Sequence, residues 1–104
     1  MGVIRIGEEV PISLLLADGA TDQYPQAEVR DNDDTLLTTL DLGHVAGGLY
    51  VPAAAYPMPD EVFLLVTYIT YSDAAHTTEN TDYARAQDVF VKEVVAEALA
   101  HFKV

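Results

Sequence analysis

Short apolar runs alternate with polar, turn-forming segments along the whole chain, and one run exceeds the others in length and greasiness. Val62 to Tyr71 reads VFLLVTYITY. It is too apolar for a surface loop and too rich in β-branched and aromatic side chains for a helix, so it predicts a central strand buried on both faces or nearly so. At about 3.3 Å per residue such a strand runs roughly 33 Å, and neighbours must cover it along that length.

The remaining pattern is organised around this strand. Gly2 to Ile6 begins with a short apolar alternation, and Glu9 to Ala17 predicts a strand with Pro11 at an edge or bend, because proline cannot donate to a ladder. ADGATDQ, residues 17–23, is turn chemistry. Tyr24, Gln26, Glu28 and Arg30 then alternate with Pro25, Ala27 and Val29, which predicts a strand with one wet face. The aspartates and asparagine of residues 31–34 predict a tight hairpin, since these side chains tolerate left-handed backbone. Thr35 to Leu42 continues as its second strand, Gly43 and the pair Gly47 and Gly48 break the chain, and Leu49 to Val51 is a short strand. Three prolines between Pro52 and Asp60 forbid regular pairing and predict an extended crossover. After the central strand, SDAAHTTENTD is polar and turn-rich, and Tyr83 to Val91 predicts a last strand in which Phe90 and the pair Val89 and Val91 compete for the core.

The period changes in the last thirteen residues, KEVVAEALAHFKV. Val94, Val95, Ala98, Leu99 and Phe102 fall on one helical stripe, with Glu93, Glu97 and His101 opposite. A helix this short is marginal alone, so the stripe must dock, either on the domain's own sheet or outward as an assembly surface. A third reading, in which Lys92 to Ala98 prolongs the preceding strand, is disfavoured by its alanine and glutamate content.

With 104 residues the chain suits one domain with a real core. Two segments are expected, a β-domain over 1–91 and an amphipathic helix over 92–104. No apolar run approaches the roughly 18 residues of a membrane span, and the opening MGVIRIGEEVP has no secretory pattern. Seventeen acidic against five basic residues, a net charge of -12, repel nucleic-acid and lipid phosphates. The absence of cysteine removes disulfides and thiolate metal sites, leaving stability to packing.

Candidate chemistry is sparse. Asp31, Asn32, Asp33 and Asp34 open like a calcium loop, but Leu36 and Leu42 stand where the helix-loop-helix pattern needs glycine and glutamate. Ser72, Asp73 and His76 are the residue types of a hydrolase triad without the G-x-S-x-G turn, and His44, His76 and His101 include no chelating pair. No glycine motif for nucleotides occurs. An enzyme and a cofactor are therefore not expected. Tyr56, isolated among prolines, and Met58 are candidate contact residues on the crossover, together with Val94, Val95, Leu99 and Phe102 on the helix. Tyr24, Tyr56 and Tyr71 are candidates for an aromatic platform.

Six or seven strands separated by turns predict an antiparallel β-sandwich with Greek-key connections and one C-terminal helix. The order of a D-N-D-D hairpin, a Gly-Gly-Leu-Tyr strand, a proline-rich crossover, a V-T-Y-I-T-Y strand and a Y-x-x-x-x-D-x-F-V strand, over Gly7 to Val91, resembles the immunoglobulin-like modules in tail, collar, baseplate and decoration proteins of tailed bacteriophages. The antibody branch is excluded, since there is neither a cysteine pair nor tryptophan. The resemblance implies an immunoglobulin-like sandwich acting as a non-enzymatic virion protein, made in a host cytoplasm, that self-associates and binds other virion proteins. The alternative is a carbohydrate-binding or adhesive module.

Overall fold

The computed structural model describes residues 2–93. They form seven strands: β1 (Gly2–Ile4), β2 (Leu14–Leu15), β3 (Tyr24–Arg30), β4 (Leu36–Ala46), β5 (Leu49–Pro52), β6 (Phe63–Tyr71) and β7 (Ala86–Lys92). All belong to one sheet in the order β1-β7-β6-β3-β4-β5-β2, curved as a half-barrel.

Alternation decides what each strand buries. On β6, Leu64, Val66, Tyr68 and Thr70 are buried, while Phe63, Leu65, Thr67 and Tyr71 on the other face are half-buried. On β3 the inward set is Pro25, Ala27 and Val29, and Gln26, Glu28 and Arg30 face outward, the alternation read from the sequence. Antiparallel register pairs Tyr68 with Ala27 on one side and Ala86 on the other, so two small residues flank the bulkiest inward side chain of β6. Phe90 of β7 takes the core position, opposite Leu64 and beside Gly2. A Cβ on Gly2 would stand 3.1 Å from the Phe90 ring, so this glycine leaves room for it.

Strand β4 hands the chain from one half of the sheet to the other. Residues 36–41 pair with β3, and residues 42–46 pair with β5. Leu42 and Tyr50 thereby join the core formed by β3, β6 and β7. A bulge between His44 and Ala46 leaves Val45 unpaired and exposed. The concave face is closed by a strap, residues 8–16, which sends Val10, Ile12 and Leu16 into the core beside Met58 from the proline-rich crossover.

Three expectations are corrected. The sheet is mixed rather than an antiparallel immunoglobulin-like sandwich, because β1 pairs in parallel with β7 and one hydrogen-bonded order runs through all seven strands. The strand expected over Glu9 to Ala17 contracts to Leu14 and Leu15, with a single bridge from Glu9 to Pro57, as the rest serves as core cover. Gly43 does not interrupt β4, and the break falls at Gly47, whose φ is +52°. The hairpin at residues 31–34 forms as read, with Asp34 at φ 64°. Among the described residues there is no helix, and none is long and apolar enough to cross a membrane. Lys92, expected to open the helix, ends β7, and residues 94–104 lie outside the described residues.

Gly48 occupies the tightest position. Its carbonyl accepts the Leu16 N–H at 2.8 Å, and a Cβ there would lie 2.2 Å from the Leu16 carbonyl oxygen. A side chain must push the strap away from β5. Gly48→Ala should therefore cost about 1–3 kcal/mol in urea unfolding, whereas Gly43→Ala, whose nearest neighbour would be 3.9 Å away, should cost nothing.

Candidate functional site

The polar side chains that carry chemistry gather at one end of the half-barrel, where the 17–23 loop meets the 72–85 loop. Gln23 Oε1 accepts from Asn80 Nδ2 at 2.9 Å, and the Tyr83 hydroxyl donates to Asp18 Oδ2 at 2.7 Å. That bond pushes the Tyr83 phenol up to about 12, helped by burial and by the charges of Asp18, Asp22 and Asp82. The same bond, with the Ala20 N–H, holds the Asp18 carboxyl below its ordinary range. Each partner is thus kept in the protonation state that suits the other.

Two buried tyrosines tie the strap and the first loop to the sheet. Tyr50 donates to the Ala20 carbonyl at 2.9 Å and accepts the Gln23 N–H at 3.3 Å. Tyr68 donates to Asp88 Oδ2 at 2.9 Å and accepts the Ser13 N–H at 3.3 Å. Burial, and then Asp88, raises the Tyr68 phenol. These hydroxyls hold loop and strap backbone to the sheet.

The triad residue types do not converge. Ser72 Oγ donates to the Thr78 carbonyl. The Asp73 carboxylate accepts from the Thr77 hydroxyl and from the Thr77 and Thr78 N–H groups, which holds it below the ordinary range and commits it to its own turn. His76 lies edge-on to Tyr71, ring centres 5.3 Å apart, with Nδ1 3.9 Å from Asp41 Oδ1. Its φ of 56° folds the loop back over the outer face of β6 and β3. Glu79 and Arg85 make a two-pronged ion pair at 2.7 and 3.1 Å on the same loop.

The acidic hairpin is likewise self-satisfied, since Asp31 Oδ1 accepts the Asp33 and Thr35 N–H groups at 2.9 Å. No group of three or more metal-binding side chains converges among the described residues. His44 Nε2 meets the Gly47 carbonyl at 2.7 Å and its ring abuts Tyr50.

Of the candidate contact residues, Met58 is 1% exposed and packs in the core, so its side chain offers no outward surface. Tyr56 is half-buried, its phenol raised by burial and by Glu61, and its carbonyl accepts the Val10 N–H. Val94, Val95, Leu99 and Phe102 lie outside the described residues. Surfaces that sequence reasoning passed over are Leu15, 70% exposed on β2, and the bulged Val45. Their apolar character was visible, but their exposure follows from the sheet order. Tyr24 and Tyr71 are register partners at one end of the outer face. A shallow groove lined by Glu9, Pro11, Ile12, Ser13, Val51 and Pro52 opens where the strap leaves β5.

No protein-family model, no curated protein and no solved structure matches this chain.

Removing the Tyr68 hydroxyl leaves the Ser13 N–H without its partner, so Tyr68→Phe should cost about 1–3 kcal/mol in chemical unfolding. A phenol whose pKa folding raises contributes stability fully present below the unfolded value of about 10 and lost as pH climbs through the folded value. For Tyr83 that window extends to about 12. Ultraviolet difference titration of wild type against Tyr83→Phe should show a phenolate that forms late, and Asp18→Asn should move it back towards ordinary tyrosine.

Proposed function

We propose that this protein is a non-enzymatic structural subunit of a tailed-phage particle, made in the host cytoplasm, that associates with copies of itself and with another virion protein. The observation that carries the reading is the open sheet. Among the described residues, the seven-stranded half-barrel ends in two short strands, β1 and β2, each paired on one side only. Free edges of this kind accept a further strand or ribbon, and β2 presents Leu15 at 70% exposure with Val45 exposed two strands away on the bulged β4. Burying such apolar side chains between copies gives association its driving force, while a net charge of -12 on the remaining surface opposes unspecific clumping. The order of motifs that resembles those phage modules supports the particle assignment, although the sheet is not their sandwich, and the hydrogen bonds that hold Ser72 and Asp73 in their own turn speak against a hydrolase.

A second reading has one observation in its favour. Tyr24, 42% exposed, stands beside Tyr71 on one face, with His76 against Tyr71 and the carboxylates of the neighbouring loops nearby. Paired aromatic faces of this sort suit a sugar ring. A glycan array binding signal abolished by Tyr24→Ala would favour this module over the structural subunit.

Mass spectrometry of purified virions should find the chain at a fixed multiple of a tail or capsid protein, and its absence from the particle would refute the assignment. In solution, light scattering should give a mass above the 11.3 kDa of one chain, and Leu15→Asp should return it to one chain with the fold intact.

A further inference from the structure

The groove where the strap leaves β5 combines apolar walls with polar atoms that mostly accept. Pro11, Ile12, Val51 and Pro52 line about 380 Å³, with Ile12 buried and Glu9 and Ser13 exposed. Donors are scarce there. Pro11 and Pro52 have no N–H, the Ile12 N–H is spent on the Val10 carbonyl at 2.8 Å, and the Ser13 N–H on the Tyr68 hydroxyl at 3.3 Å. Acceptors remain. The Leu16 N–H meets the Gly48 carbonyl on the strap side of β5, and alternation turns the Pro52 carbonyl the same way. The Glu9 carboxylate has no hydrogen-bond or ion-pair partner among the described residues.

Charge around the groove points in the same direction. Between residues 6 and 61 the only lysine or arginine is Arg30, on β3, so the strap, β2, β4, β5 and the crossover carry acids without a base. On the outer face, Val51 pairs with Gly43, and Asp41 stands two residues further along β4 at 71% side-chain exposure. The chain's own described bases are taken, since Arg5, Arg30, Arg85 and Lys92 each sit in an ion pair with an acid of the same chain.

We infer that this groove docks a lysine or arginine side chain from a basic, extended segment of a partner protein. The aliphatic stem of such a side chain lies on Pro11, Ile12, Val51 and Pro52, and its cationic head supplies the donors that the groove lacks, to Glu9 and the Pro52 carbonyl. A hydrophobic ligand without donors would leave these acceptors stripped of water and unpaired, at a cost. A second copy does not supply the cation from its described residues, because their bases are already paired. The inference stands apart from the particle assignment, in which the Leu15 edge rather than this groove joins copies.

The probes are a capped Gly-Val-Lys-Val-Gly peptide and its arginine counterpart, titrated into the isotope-labelled full-length chain and followed by amide chemical shifts. One or both should move the peaks of Glu9, Ile12, Ser13 and Val51 and leave those of the equally acidic hairpin, Asp31 to Asp34, in place. Binding should weaken as sodium chloride is added. Glu9→Gln should lower affinity about two- to fivefold, whereas Asp33→Asn, with the same change in net charge, should leave it unaltered. The glutamine version of the peptide should not bind. No binding by either cationic peptide, shifts spread equally over the hairpin, equal losses in the two variants, or equal binding of the glutamine peptide would each overturn the inference. Two further outcomes would replace the occupant and so overturn it as well: n-butylamine binding as tightly as the peptides, which would make a free amine sufficient, or groove shifts that follow protein concentration without peptide, which would make it a second copy.

Discussion

Closing the concave face with a strap that is mostly not a strand is the constraint on which the rest of the structure depends. A segment lying over apolar side chains cannot leave its N–H groups without acceptors, because each orphan costs more than a typical hydrogen bond gains. The strap meets this demand with scattered partners. Val10 and Leu16 donate to the carbonyls of Tyr56 and Gly48, Gly7 just before the strap donates to that of Met58, and Ser13 donates to the Tyr68 hydroxyl. Met58 returns a bond to Glu8, so the strap and the proline-rich crossover hold each other.

This arrangement explains why tyrosine rather than phenylalanine occupies two core positions. Tyr50 and Tyr68 fill apolar volume at 1% and 3% exposure while their hydroxyls reach the rim, where loop backbone needs both donors and acceptors. Alanines on either side of Tyr68 make the space, and Gly48 permits the strap's close approach to β5. Local residue choices and global closure are therefore one problem, solved together.

Consequences for function follow from what closure leaves over. The strap seals one face of the half-barrel and the 72–80 loop covers part of the other, so among the described residues the apolar surfaces left open include the edge residue Leu15 and the bulged Val45. Groups that looked chemical in isolation, Ser72, Asp73 and Asp31, are occupied in holding turns. Their chemistry belongs to loop geometry, and an acidic surface surrounds the apolar exceptions.

Strand identity and inward alternation were legible in the residues themselves, as β3, β6 and the aspartate hairpin show, because side chains of a strand must alternate and only certain residues accept left-handed backbone. The strap was misread as a longer strand, since its alternation of Val10, Ile12 and Leu14 serves core covering as well as pairing. Nor did pattern reveal that Met58 is core, that Tyr24 stands beside Tyr71, or that Leu15 lies on an edge. Those facts depend on which strands are neighbours. The parallel joining of β1 to β7, between the two ends of the described chain, is a long-range pairing that no local period encodes, and only tertiary structure decided it.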